Sequence, residues 1–218
     1  MFPLPIHIYF EFAALLASVL FWRSLKHSRL RWFLPFLAFI VIAELCGRYL
    51  YKELRQPNAW LYNLVVPVEY LFYSTIFILY YTKKRNQVIA KLFLLIFTAY
   101  AAISLVFLNG IYIFNDNFLL VGSFFMIFLC ILFLFEQYNN QEGKTIWYFP
   151  MFWISIGILL FNAGEFSYNL LSRFLIGEDM DPSLKFFRSI NNKLILVLYT
   201  CFIIAFICQK TSETSRKA

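Results

Sequence analysis

Seven apolar runs, each close to twenty residues long, fill most of this 218-residue chain. They cover about Pro5 to Trp22, Trp32 to Tyr51, Trp60 to Tyr81, Val88 to Leu108, Phe118 to Phe135, Ile146 to Leu171 and Leu184 to Cys208. A helix needs about 20 mainly apolar residues to cross the ~30 Å hydrocarbon core of a bilayer. Backbone inside that core must satisfy its own hydrogen bonds, so runs of this length read as helices. The predicted fold class is therefore all-α, a polytopic membrane bundle of seven transmembrane helices. Residues 1–208 make one domain and 209–218 a short cytoplasmic tail, with no room for a soluble domain. Composition agrees, at 61% hydrophobic and 14% charged, where soluble chains are about half apolar and about a quarter charged.

Basic residues set the orientation. Arg23, Lys26, Arg29, Arg31, Lys83, Lys84, Arg85, Lys91, Lys144, Lys210, Arg216 and Lys217 fall on one side of the predicted membrane, against Lys52, Arg55, Arg173, Lys185 and Arg188 on the other. The positive-inside rule then places the N-terminus outside and the C-terminus inside. Met1 to Phe10 carries no Lys or Arg, so the first run reads as a retained span and not as a signal peptide. Asp181 before Pro182 predicts an N-cap with proline at the first helical position. Asn139-Asn140-Gln141 with Gly143 predicts the turn before the sixth span. The net charge of +7 is topogenic on this reading and implies no nucleic-acid partner.

A charged side chain inside a membrane costs at least ~2.5 kcal/mol on insertion scales, so each is a functional hypothesis by default. The spans hold Glu11, Glu44, Arg48, Glu69, Glu165 and Lys193, with Asn63, Asn162, Asn169, Asn191 and Asn192 beside them. At about 1.5 Å per residue, Glu44 lies roughly 18 Å and Arg48 roughly 24 Å from the inner surface, and Glu69 about 13 Å below the outer one. The others also fall in the outer half or near the midplane, whereas the inner half holds little beyond Ser18, Ser74, Thr75, Ser155 and Thr200. The pattern predicts a polar pocket reached from outside above a Phe- and Leu-rich floor. Candidate ligand-binding residues are Glu44, Arg48, Glu69, Asn162, Glu165, Asn191 and Asn192. Ser155, Asn162, Glu165, Asn169 and Ser172 share an arc of about 100° on the sixth span, and Gly157 and Gly164 offer another face for close helix approach. Asn191 and Lys193 differ by about 200° and cannot both face one narrow pocket. Any one of these residues is equally explained as interhelical glue.

Chemistry-bearing motifs are few. The histidines, His7 and His27, sit near span ends outside any H-E-x-x-H, and there is no G-x-S-x-G, P-loop or G-x-G-x-x-G. Cys46, Cys130, Cys201 and Cys208 lie in apolar segments with no C-x-x-C, which reads as packing. No catalytic residue, metal ligand or cofactor is assigned, although acid–base chemistry through Glu69 and Glu165 stays open. Lys193 and Phe149-Pro150-Met151-Phe152-Trp153 invite comparison with microbial rhodopsins. The third-helix Arg-Tyr-x-Asp-Trp type motif is missing, however, and no acid lies four residues before the lysine.

Trp60-Leu61-Tyr62-Asn63 with Pro67-Val68-Glu69-Tyr70, then Phe152-Trp153-Ile154-Ser155-Ile156-Gly157, then Ile190-Asn191-Asn192 leading to Ala205-Phe206-Ile207-Cys208, give the chain a second likeness. It resembles an uncharacterised family of small seven-helix proteins of Bacteroidota, often found near two-component histidine kinases. The resemblance implies a bacterial inner membrane and a cytoplasmic signalling partner such as a histidine kinase. The expected function is a membrane sensor or accessory signalling module binding a ligand or lipid. The alternative is a small-solute transporter, followed by a retinal-binding protein or an intramembrane enzyme.

Overall fold

The structure is a computed structural model and describes residues 4–108, 110–140, 146–175 and 185–217. Among these there is no strand. The helices are α1 (Ile6–Leu20), α2 (Trp22–Leu25), α3 (Phe33–Lys52), α4 (Ala59–Tyr80), α5 (Lys84–Ile103), α6 (Asp116–Asn140), α7 (Pro150–Leu175) and α8 (Lys185–Lys217). Six stretches of helix among the described residues are long and apolar enough to cross a membrane, and α1 is a shorter apolar one. The chain is thus a multi-pass helical membrane protein.

The first predicted run is broken. Phe21 leaves the helical region (φ −94°, ψ 12°) between α1 and α2, so the apolar stretch becomes a 15-residue helix followed by a single turn. Ser28 then caps a 3-10 turn over Arg29–Trp32 by accepting the Leu30 N–H at 3.1 Å. Other ends shift for polar reasons. Asn139 and Asn140 stay helical as the last residues of α6, and α8 runs past Cys208 through most of the expected tail, since water accepts a polar helix as readily as a coil. Pro150 opens α7, where its missing N–H leaves no bond unmade. Gln141, Gly143, Asp181, Pro182 and Leu184 lie outside the described residues, as does the Ser172 side chain.

Short connections make successive long helices antiparallel. The packing pairs are α1 with α3, α3 with α4, α4 with α6, α6 with α7, α7 with α8, and α8 back onto α1. These six helices form a closed ring. Helix α5 packs outside it, against α4 and α6, and is the least buried of the spans. Large apolar side chains such as Ile42, Leu95, Phe107 and Phe135 remain exposed, as a surface solvated by lipid requires.

Ring contacts are tightest between α7 and α8. A Cβ built on Gly157 would sit 2.7 Å from Cys201 Cβ and 3.3 Å from the Leu198 carbonyl oxygen. Only a residue without a side chain permits that approach. The end of the bundle where α1 begins is called here the upper end. In the lower half of the ring, Phe33, Phe36, Phe72, Tyr73, Phe202 and Phe206 interlock. Phe36 stacks on Phe72 at 3.8 Å, and Phe33 meets Phe202 edge-on at 5.2 Å.

Candidate functional site

A cavity of about 220 Å³ lies inside the ring. All six ring helices line it and α5 does not. Its position explains how residues far apart in sequence meet. Along α4 the lining residues Tyr62, Val65, Val66, Glu69, Tyr70 and Tyr73 follow the three- and four-residue steps of one helical face. Helix α8 presents Asn191, Ile195, Leu198 and Tyr199 in the same way, and α7 presents Phe161, Asn162 and Glu165.

Four carboxyl groups converge here: Glu11 from α1, Glu44 from α3, Glu69 from α4 and Glu165 from α7. Glu11 and Glu165 are buried, at 2% and 5% exposure, while Glu44 and Glu69 are half-buried. Among the described residues no Lys, Arg or His lines the cavity. The Tyr62 hydroxyl donates to Glu44 Oε2 at 3.1 Å, and the Tyr70 hydroxyl pairs with Ser123 Oγ at 3.0 Å.

Several lining acceptors have no donor. Asn162 donates its amide hydrogen to the Ile158 carbonyl at 2.8 Å, which fixes the side chain and leaves Oδ1 buried and unpaired. Glu11 Oε2 and Asn191 Oδ1 are buried and unpaired as well. A buried acceptor without a partner costs about 1–3 kcal/mol, so three around one cavity make a lining complementary to donors. Tyr73 and Tyr199 form its lower wall and pack edge-on or tilted against Phe202, which joins the cavity to the aromatic layer beneath.

Of the sequence candidates, Glu44, Glu69, Asn162, Glu165 and Asn191 line this cavity. Arg48 and Asn192 do not. Arg48 shares a face with Glu44 but stands one turn higher, near His7, and Asn192 is turned toward α1, beside His7. Lys193 is exposed on the outside of α8. Asn63 is a clamp: its amide donates to the Ile111 and Ile113 carbonyls at 2.8 and 2.7 Å while its oxygen accepts the Asn115 N–H at 3.0 Å. That clamp holds the loop carrying Phe114, another lining residue.

Sequence reasoning missed two features. Tyr62 and Tyr73 belong to the α4 face and could have been found from their spacing to Glu69. Glu136, at the lower end of α6, is 1% exposed. It accepts the Thr82 N–H and hydroxyl, each at 2.6 Å, the Lys83 N–H at 3.1 Å and the Asn86 amide. The carboxylate therefore caps the start of α5 from a neighbouring helix. A second cavity, of about 630 Å³, opens beside it, lined by His27, Arg29, Thr82, Gln137, Gln209 and Ser212 among others.

Fold and site together define a multi-pass helical membrane protein with an acidic cavity on its axis. No family model, curated protein or solved structure matches the chain.

Proposed function

We propose that this protein is an integral membrane sensor or accessory signalling module that takes up a ligand in the axial cavity. Its seven helices stand with the N-terminus outside and the C-terminus inside a bacterial inner membrane. A separate cytoplasmic partner, such as a histidine kinase, reads the outcome. The observation that carries this reading is the convergence of four carboxyl groups and three unpaired acceptors inside a ring whose lower half is packed with aromatic side chains. A receptor needs access from one side only, and Phe77, fully buried below Tyr73, belongs to the closed half. Ligand charge would relieve repulsion between carboxylates on α1, α3, α4 and α7 and so favour one packing of the ring over another. Helix α8 runs without interruption from the cavity at Asn191 to Lys217, which gives a change of packing a rigid route to the inner surface.

The test separates a charged site from helix glue. Glu69→Gln and Glu165→Gln keep hydrogen-bonding capacity, and such bonds contribute about 0.6 to 2 kcal/mol between membrane helices. Both variants are expected to fold, and at least one to lose the response in a host that carries the partner. Normal output from both single variants and from the double variant would remove the acidic site.

The lower cavity favours transport as the second reading, because it gives the bundle a polar recess at each end. On α8 the two recesses are ten residues apart, Tyr199 to Gln209, or roughly 15 Å. Purified protein in liposomes is expected to show no solute or proton flux. Robust ligand-dependent flux would make transport the better account.

A further inference from the structure

We propose that the axial cavity selects a small organic cation whose ammonium group sits among Glu11, Glu69, Glu165 and Asn162. This deepens the binding reading above and rests on it. Charge comes first. Among the described residues the lining carries four carboxyl groups and no basic side chain. Buried carboxyls without a counter-ion are costly to ionise, and a cationic guest is the one that supplies the missing charge.

Hydrogen-bond polarity points the same way independently. Glu11 and Asn162 are 2% and 1% exposed, and each keeps an unpaired acceptor oxygen buried in the wall of the cavity; the Asn191 oxygen is a third. The Asn162 amide cannot flip to offer a donor without abandoning the Ile158 carbonyl. An ammonium group supplies up to three donors and no acceptor, which is the complement of this lining.

Size and geometry exclude a bare metal ion. Among the described residues no three His, Cys, Asp or Glu side chains are grouped to hold one. The acids are spread around a space of about 220 Å³, whereas a dry cavity of about 150 Å³ accepts benzene. By that scale the guest has roughly nine non-hydrogen atoms. Its apolar part has Tyr73, Tyr199 and Phe161 to rest against, and aromatic faces attract cations.

The ammonium could be carried by a free amine or by the headgroup of an ethanolamine lipid, and the test separates the two. Thermal midpoints of the full-length protein are compared in phosphatidylglycerol nanodiscs with benzylammonium, benzyl alcohol or benzoate, each at about 10 mM and balanced for ionic strength. A further arm replaces part of the lipid with phosphatidylethanolamine. The expected result is a higher midpoint with benzylammonium only, and loss of that shift in Glu69→Gln and Glu165→Gln. A rise seen only with phosphatidylethanolamine supports the same chemistry and assigns it to the headgroup. Equal shifts with benzyl alcohol, a shift with benzoate alone, or no shift in any arm would overturn the proposal. The comparison of amine with alcohol needs no variant, so a variant that fails to fold leaves it intact. Partner and host are absent from this measurement, so it tests the cation site alone; binding here with no output in the host that carries the partner would sink the sensor reading and leave the cation site standing.

Discussion

Glu136 shows how a single side chain can fix a helix start. The first turn of α5 has backbone N–H groups with no carbonyl below them. The Glu136 carboxylate takes the N–H groups of Thr82 and Lys83, the two residues that lead into the helix, together with the Thr82 hydroxyl and the amide of Asn86 in its first turn. Glu136→Gln preserves shape but turns one acceptor into a donor facing donors. It is expected to destabilise the protein by about 1–3 kcal/mol, read as a lower thermal midpoint, with no effect on benzylammonium binding because the residue lies at the far end of the bundle. The sequence gives little warning of it. A carboxylate at the end of an apolar run reads as solvated, and the donors that bury it stand about fifty residues away. Glu69 and Glu165 are legible for the opposite reason: their depth follows from helical rise alone, and nothing but burial is open to a residue in mid-span.

At the scale of elements, α7 and α8 illustrate what small residues permit. Gly157 faces the Cys201 Cβ and a backbone carbonyl, neither of which can turn aside, whereas Gly164 faces the methyl ends of Leu194, which can. Gly157→Ala is therefore expected to cost about 1–3 kcal/mol by forcing the helices apart, and Gly164→Ala clearly less. Thermal unfolding of the two variants side by side checks the order, and Cys201→Gly should partly restore the first. The seven-residue spacing of these glycines marked a close face in the sequence; which of the two would be unforgiving depends on the partner's side chains and was not readable. The same limit applies to Asn191 and Asn192. They differ by one step of 100°, and only the docking of α8 against α1 decides that Asn191 faces the cavity and Asn192 faces His7. The break at Phe21 was hidden for another reason, since both its neighbours, Leu20 and Trp22, are apolar and no Gly or Pro marks the place.

For the whole molecule, the proposed orientation makes a direct prediction. A reporter that works only in the cytoplasm should be active when fused after Ala218 and silent when inserted near Asn115, as the distribution of Lys and Arg requires. The opposite pattern would invert inside and outside for the cavity. The run lengths made the helical bundle legible. The place of α5 outside the ring was not, because its apolar residues look alike whether they meet lipid or another helix. Ring closure has a last consequence, for biosynthesis. Helix α8 seals the cavity by docking on α1, the last long helix against the first. A nascent chain that has released only the earlier helices holds Glu11, Glu69 and Glu165 in a groove open on the α8 side, where a charge facing acyl chains costs ~2.5 kcal/mol or more. Products truncated before α8 should therefore be poorly tolerated in the bilayer and quickly degraded, because the groove closes only when α8 docks on α1.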